Sequence, residues 1–169
     1  VSRAGMRIQK GALVAEKRPC RRKALNARGA TEEQLMSLLD WKDEFLLGVA
    51  QMDRDHKQLV GAMNKVHELA GAGASRESID DSIKVLIALT AAHFEAEEQH
   101  MEKIEYPDLS RHRRIHKEML HRVANHYRTF QAGDGSVEPA FFDFLVHWLA
   151  AHICHIDRKY TLHGAPVGR

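Results

Sequence analysis

The chain has 169 residues, 44% of them hydrophobic and 28% charged, with a formal net charge of +2. That length supports one domain whose core needs no disulfide staple, and no apolar run approaches the ~18 residues that a membrane-spanning helix needs. Two cysteines, Cys20 and Cys154, lie far apart and form no CxxC pair, which argues against a disulfide scaffold and for a reducing, cytoplasmic setting.

Charge is unevenly spread. Residues 1–30 hold nine Lys/Arg against one acid, Glu16, so the rest of the chain is mildly acidic. The first 35 residues lack aromatic side chains, show weak periodicity and have no apolar stretch of the kind a signal peptide carries. They read as a basic, disordered extension that need not be native, because Met36 stands just ahead of the patterned region as a candidate start. A basic tail can also contact nucleic acid or an anionic membrane. The plain extension is the preferred reading, with no membrane role.

Residues 37–52 carry Leu38, Leu39, Trp41, Phe45, Leu46 and Leu47, the composition of an ordered arm rather than a linker. Four helices follow from the 3.6-residue period. The first runs over about 53–70 with seam His56, Leu59, Val60, Met63, Val66 and Ala70, and Gly71 and Gly73 stop it. The second runs over about 76–105 after the candidate cap Ser75. Its seam is Ile79, Ile83, Leu86, Thr90, His93, Glu97, Met101 and Ile104, and Tyr106-Pro107 ends it. The third covers about 109–131 with seam Leu109, His112, His116, Met119, Val123, Tyr127 and Phe130, followed by the Gly133/Gly135 loop. The fourth covers about 138–160, with Pro139 in its first turn and seam Phe142, Leu145, Leu149, His152, Ile156 and Tyr160. No stretch alternates with period two. The expected fold is all-α, an up-down-up-down antiparallel four-helix bundle with an N-terminal arm.

Twelve histidines in this length need an explanation. His93 and Glu97 are four residues apart, as are His112 and His116, and such pairs share a helix face. In an up-down bundle the start of the first helix, the end of the second, the start of the third and the end of the fourth lie at one end. His56, His93, Glu97, His112, His116 and His152 therefore fall at one level on inward faces. A buried carboxylate is costly without a partner, and Glu97 interrupts an apolar stripe, whereas Glu98 beside it reads as solvated. His67 lies about 16 Å along its helix from His56. His121, His126, His147 and His163 fit no ligand level. His100 and His155 each lie one turn from a candidate ligand. Asp157 is five residues beyond His152, about 140° away around an ideal α-helix, so the period alone prefers His155 or Ile156 as the inward neighbour.

With Asp157 included, seven nitrogen and oxygen donors exceed what one tetrahedral zinc takes. Imidazole and carboxylate without thiolate suit iron, with zinc or manganese still open. If both carboxylates and one solvent oxygen bridge two metals, five histidines divide three and two. One metal is then six-coordinate, and the other keeps a single open position for one small ligand.

Several motifs together resemble the bacterial hemerythrins: Trp41 and Gly48 ahead of RDHK, HFEAEE with the following YPD, the HRRIH pair, and WLAAHICHID ending in Tyr160. The resemblance covers roughly residues 38–160 and implies a hemerythrin-like domain over 36–169. It is also what selects Asp157. It implies two oxo- or hydroxo-bridged non-haem iron ions per chain. His112, His116 and His152 would lie on one iron, His56 and His93 on the other, with Glu97 and Asp157 bridging. O₂ would bind reversibly at the iron held by His56 and His93. The implied function is oxygen binding for transport, storage or sensing, by a monomer that is not an enzyme.

The rival reading is a diiron enzyme that acts on NO or peroxide, or repairs iron centres, with His155 as a proton donor. The HxxxE and HxxxH pairs differ from the Glu-x-x-His pairs of ferritin-like oxidases.

Overall fold

The structure is a computed structural model that describes residues 37–163. The basic segment 1–35, Cys20 and the candidate start Met36 lie outside the described residues. Among these residues the chain is all-helical: a 3-10 turn Asp43–Phe45, then α1 (Ala50–Gly71), α2 (Arg76–Lys103), α3 (Leu109–Ala132), α4 (Pro139–His152), a π-helical turn Ile153–Asp157, and α5 (Arg158–His163). The four long helices form the expected antiparallel bundle, with α1 packed on α2 and α2 on α3.

Local chemistry sets the helix ends. Asp53 in the first turn of α1 accepts the backbone N–H groups of Leu47 at 2.7 Å and Gly48 at 3.1 Å. Gly48 enters this turn at φ +81, a conformation without penalty only for glycine. Ser75 caps α2 by accepting the Ser78 N–H at 3.2 Å, as Ser residues commonly do. The end of α2 is a Schellman motif. Tyr106 N–H donates to Met101 O at 2.9 Å and Glu105 N–H to Glu102 O at 3.0 Å, with Glu105 at φ +53. The helix thus stops ahead of the Tyr106-Pro107 step, and Tyr106 folds back into a small cluster with Met101 and Tyr160.

The seams of α1 and α2 are buried as the period requires, except that Ala70 and Ile104 are only half-covered and Phe94 joins the interior. On α3, His112, His116, Val123 and Phe130 are buried, while Leu109, Met119 and Tyr127 are half-buried. The fourth seam differs from the expected one. Phe141, Phe144, Leu145, Trp148, Leu149 and His152 are buried, whereas Phe142 and Ile156 are only half-buried. The expected single helix over 138–160 is interrupted, because residues 153–157 widen into a π turn.

The arm is ordered and packs on the bundle. Leu39 and Phe45 enter the main core. Asn64 on α1 pins Leu39 twice, accepting its N–H at 2.9 Å and donating to its carbonyl at 3.0 Å. Arg158, just past the π turn, donates to the carbonyl of Glu44. The arm thereby braces the end of the bundle where the histidines collect.

Candidate metal centre

Each helix delivers its donors by its own periodicity. His56 comes from the first half of α1, His93 and Glu97 from the second half of α2, His112 and His116 from the start of α3, and His152 from the end of α4. All six are buried, and so is Asp157. The π turn is what aims Asp157. Its i→i+5 pattern adds one residue to the turn, so positions 152 and 157 share a face, and His152 Nε2 lies 2.9 Å from Asp157 Oδ1. Ile156 and His155, which an α-helix would turn inward, are displaced. His155 is exposed and lines an outer groove with Met119, Arg122 and Ile156.

The donors form two groups whose ligand atoms lie within 4.8 Å of one another. One is Glu97, His112, His116, His152 and Asp157; the other is His56, His93 and Glu97. Glu97 belongs to both. Asp157 faces both: Oδ1 lies 3.3 Å from His112 Nε2, and Oδ2 lies 3.6 Å from His56 Nε2. Glu97 Oε2 lies 3.1 Å from His116 Nε2 and 3.3 Å from His112 Nε2.

Two nitrogen pairs have the spacing of neighbouring ligands on one ion. His56 Nε2 and His93 Nε2 are 3.0 Å apart, and His116 Nε2 and His152 Nε2 are 3.1 Å apart. Neighbouring ligands at right angles on one ion, each about 2.1 Å from it, would sit about 3 Å apart. Both oxygens of Glu97 and both of Asp157 are buried without an aligned hydrogen-bond donor. Buried polar atoms are normally satisfied, so these orphaned oxygens facing imidazole nitrogens fit cations.

The family of the Hemerythrin HHE cation binding domain matches residues 47–161. The chain belongs to the hemerythrin family. It is 31% identical over 126 residues to the bacteriohemerythrin of Stenotrophomonas maltophilia, covering 75% of this chain and 81% of that protein. It is 32% identical over 126 residues to the bacteriohemerythrin of Methylococcus capsulatus, covering 74% and 95%. A crystal structure of a hemerythrin point mutant superposes with a TM-score of 0.70 at 30% identity, covering 77% of this chain and all of that one.

In this hemerythrin the charges of the site are set by burial and by each other. Burial, then the neighbouring His93, pushes His56 down to about 4 despite the two carboxylates. Burial likewise lowers His93. Burial also opposes charge on His112, but contact with Asp157 and Glu97 overrides it and lifts the imidazole to about 9. Burial works against ionised Glu97, yet His112 and His116 hold it well below the usual carboxylate range. Asp157 meets burial and repulsion from Glu97, and His152 and His112 still keep it ionised. Tyr160 is raised by its burial and by the negative charge of Glu97 and Asp157.

The remaining histidines sit outside the cluster. His100 meets the ring of Tyr160 edge-on at 5.7 Å. His126 stacks on Phe141 and Phe144, and the His67 ring meets Phe142 at 5.0 Å. His147 Nδ1 donates to Asp143 O at 2.7 Å.

Sequence reasoning missed the supporting layer. Glu98 is not simply solvated: its Oε1 lies 2.8 Å from His116 Nδ1, across the α2–α3 interface. Asp55 Oδ2 lies 3.8 Å from His93 Nδ1. Phe94 stacks flat on the His116 ring, with centroids 3.7 Å apart and planes 7° off parallel. The pairing of Glu98 with His116 depends on the rotation of two helices, which no spacing within either helix encodes.

Proposed function

We propose that this hemerythrin binds O₂ reversibly, for storage, delivery or sensing, at two non-haem iron ions, and acts as a carrier rather than an enzyme. His112, His116 and His152 would hold one iron and His56 and His93 the other, with Glu97 and Asp157 reaching both. Two ferrous ions in such a donor set would supply the electrons and the open position that a reversible O₂ carrier uses. The observation that carries this reading is the pair of buried carboxylates, each facing both groups of imidazoles with no aligned hydrogen-bond donor of its own.

The protein's part is to position donors and exclude water. The ring of Phe94 lies against His116 and within 6 Å of His93 and His152. Trp148 closes the His152 side at 6.3 Å and Tyr160 the His112 side at 6.1 Å. This packing keeps bulk water from the imidazoles it covers. His155 lies outside that wall, so the imidazole expected to donate a proton in an oxidase is turned to the surface. That placement supports a carrier over an oxidase. A cytoplasmic location agrees with the two widely spaced cysteines, and among the described residues no helix is long and apolar enough to cross a membrane.

The test is an optical titration of anaerobically reduced, iron-quantified protein with O₂, followed by argon. Two irons per chain and an absorption band that appears with O₂ and fades under argon are expected. Irreversible oxidation in the same cuvette would overturn the carrier reading in favour of an enzyme.

A further inference from the structure

His116 is held differently from His56, His93 and His152. Its ring is stacked on Phe94, and its outer nitrogen Nδ1 meets the Glu98 carboxylate at 2.8 Å. Arg113, one turn before His116 on α3, donates through Nε to the other Glu98 oxygen at 3.1 Å and also pairs with Glu102. Glu98 is thus fixed from α3 while it stands on α2. By contrast, Nδ1 of His56 and Nδ1 of His152 are buried with no hydrogen-bond partner, and Nδ1 of His93 lies 3.8 Å from Asp55.

We propose that Glu98, clamped by Arg113, is a positioning residue that sets the tautomer and donor strength of His116 toward its metal. An ionised carboxylate only accepts hydrogen bonds, so Nδ1 of His116 must carry the proton. Nε2 is then left with its lone pair, aimed at the space shared with Glu97 Oε2 and His152 Nε2, each 3.1 Å away. A carboxylate on the far N–H of a ligating histidine fixes its orientation and makes it a stronger donor. Glu98 therefore makes the two irons unequal beyond their ligand count. An iron on the His116 side would receive extra negative character and would be the one more easily held oxidised.

This inference rests on the metal-centre reading, and its test separates the two. Fe(II) affinity is measured under argon by competition with a chromogenic chelator, the reduction potential by spectroelectrochemistry, and the fold by thermal melting of the metal-free protein. Glu98→Ala should lose about 10–100-fold in Fe(II) affinity and shift the potential upward. The metal-free melting temperature should fall by only a few degrees, because Glu98 is a quarter exposed and its loss leaves no cavity in the core. Glu98→Gln can still accept the Nδ1 hydrogen bond. It should restore affinity close to that of the unmodified chain while its potential stays raised, since it lacks the charge. Arg113→Ala should fall between. Unchanged affinity and potential in Glu98→Ala would overturn the proposal, as would a Glu98→Gln variant as weak as Glu98→Ala. Failure of the unmodified chain to bind Fe(II) would overturn the metal-centre reading itself.

Discussion

His152 Nε2 and Asp157 Oδ1 are 2.9 Å apart although they stand five positions apart in the chain. An α-helix would separate them by about 140° around its axis. The π turn over Ile153–Asp157 absorbs the extra residue, and such turns frequently mark functional sites. It also explains why Ile156 leaves the seam and Tyr160 stays in it.

Exchanging the carboxylate with its neighbour tests that geometry. In an α-helix the double variant Ile156→Asp, Asp157→Ile would point the carboxylate inward and preserve the site. With a π turn it points the carboxylate outward and buries isoleucine among the donors. Iron content should fall well below that of the unmodified chain, measured by elemental analysis after anaerobic reconstitution. Full iron loading in the swapped variant would contradict the π register.

Metal removal should cost substantial stability. An ion that binds only the folded chain contributes about 4 kcal/mol when its free concentration is a thousand times its dissociation constant. For a protein of this size that corresponds to roughly 10 °C in melting temperature. Calorimetry of iron-loaded and chelator-treated protein measures the difference. Equal melting temperatures would mean that the cluster binds no metal tightly.

The metal-free protein should be most stable near pH 6.5. His56 is depressed to about 4 in the fold, so its contribution is present above pH 6.5 and is lost as pH falls toward 4. The lowered carboxyls of Glu97 and Asp157 act in the same direction. His112 is raised to about 9, so its contribution is complete below pH 6.5 and is lost as pH rises through 9. Melting temperature against pH should trace a dome, and His112→Gln should flatten its alkaline side. A profile unaltered by that substitution would refute the assignment to His112.

The same proton should leave when metal binds, because a ligating imidazole must give up its proton. Titrating metal-free protein with Fe(II) at pH 7, in two buffers of different ionisation enthalpy, should show net proton release. Release should be smaller in His112→Gln.

Glu105 offers a stability test away from the site. It occupies the left-handed position of the α2 Schellman motif at φ +53, where glycine is the usual residue. A non-glycine residue there costs about 1–2 kcal/mol, partly offset in Glu105→Gly by the greater freedom of the unfolded chain. The variant should gain roughly 0.5–1 kcal/mol, read as a rise in denaturant midpoint at constant slope. A lower midpoint would show that the Glu105 side chain contributes more than its backbone costs.

Much of the fold lies on the surface of the sequence. Steps of three and four residues carry both the apolar seams and the pairs His93/Glu97 and His112/His116, because an α-helix turns by a constant angle and spacing alone tells which residues share a face. Alternating helix direction then brings His56, His93, Glu97, His112, His116 and His152 to one end. Asp157 is different: its orientation depends on a break in the helical period, and a rule built on constant turn assigns it outward. Contacts between residues on different helices are hidden from the sequence in the same way. Glu98 meets His116, and Phe94 covers it, through the rotation and separation of α2 and α3. Those quantities are set by how whole faces pack, and so only the tertiary structure decided them.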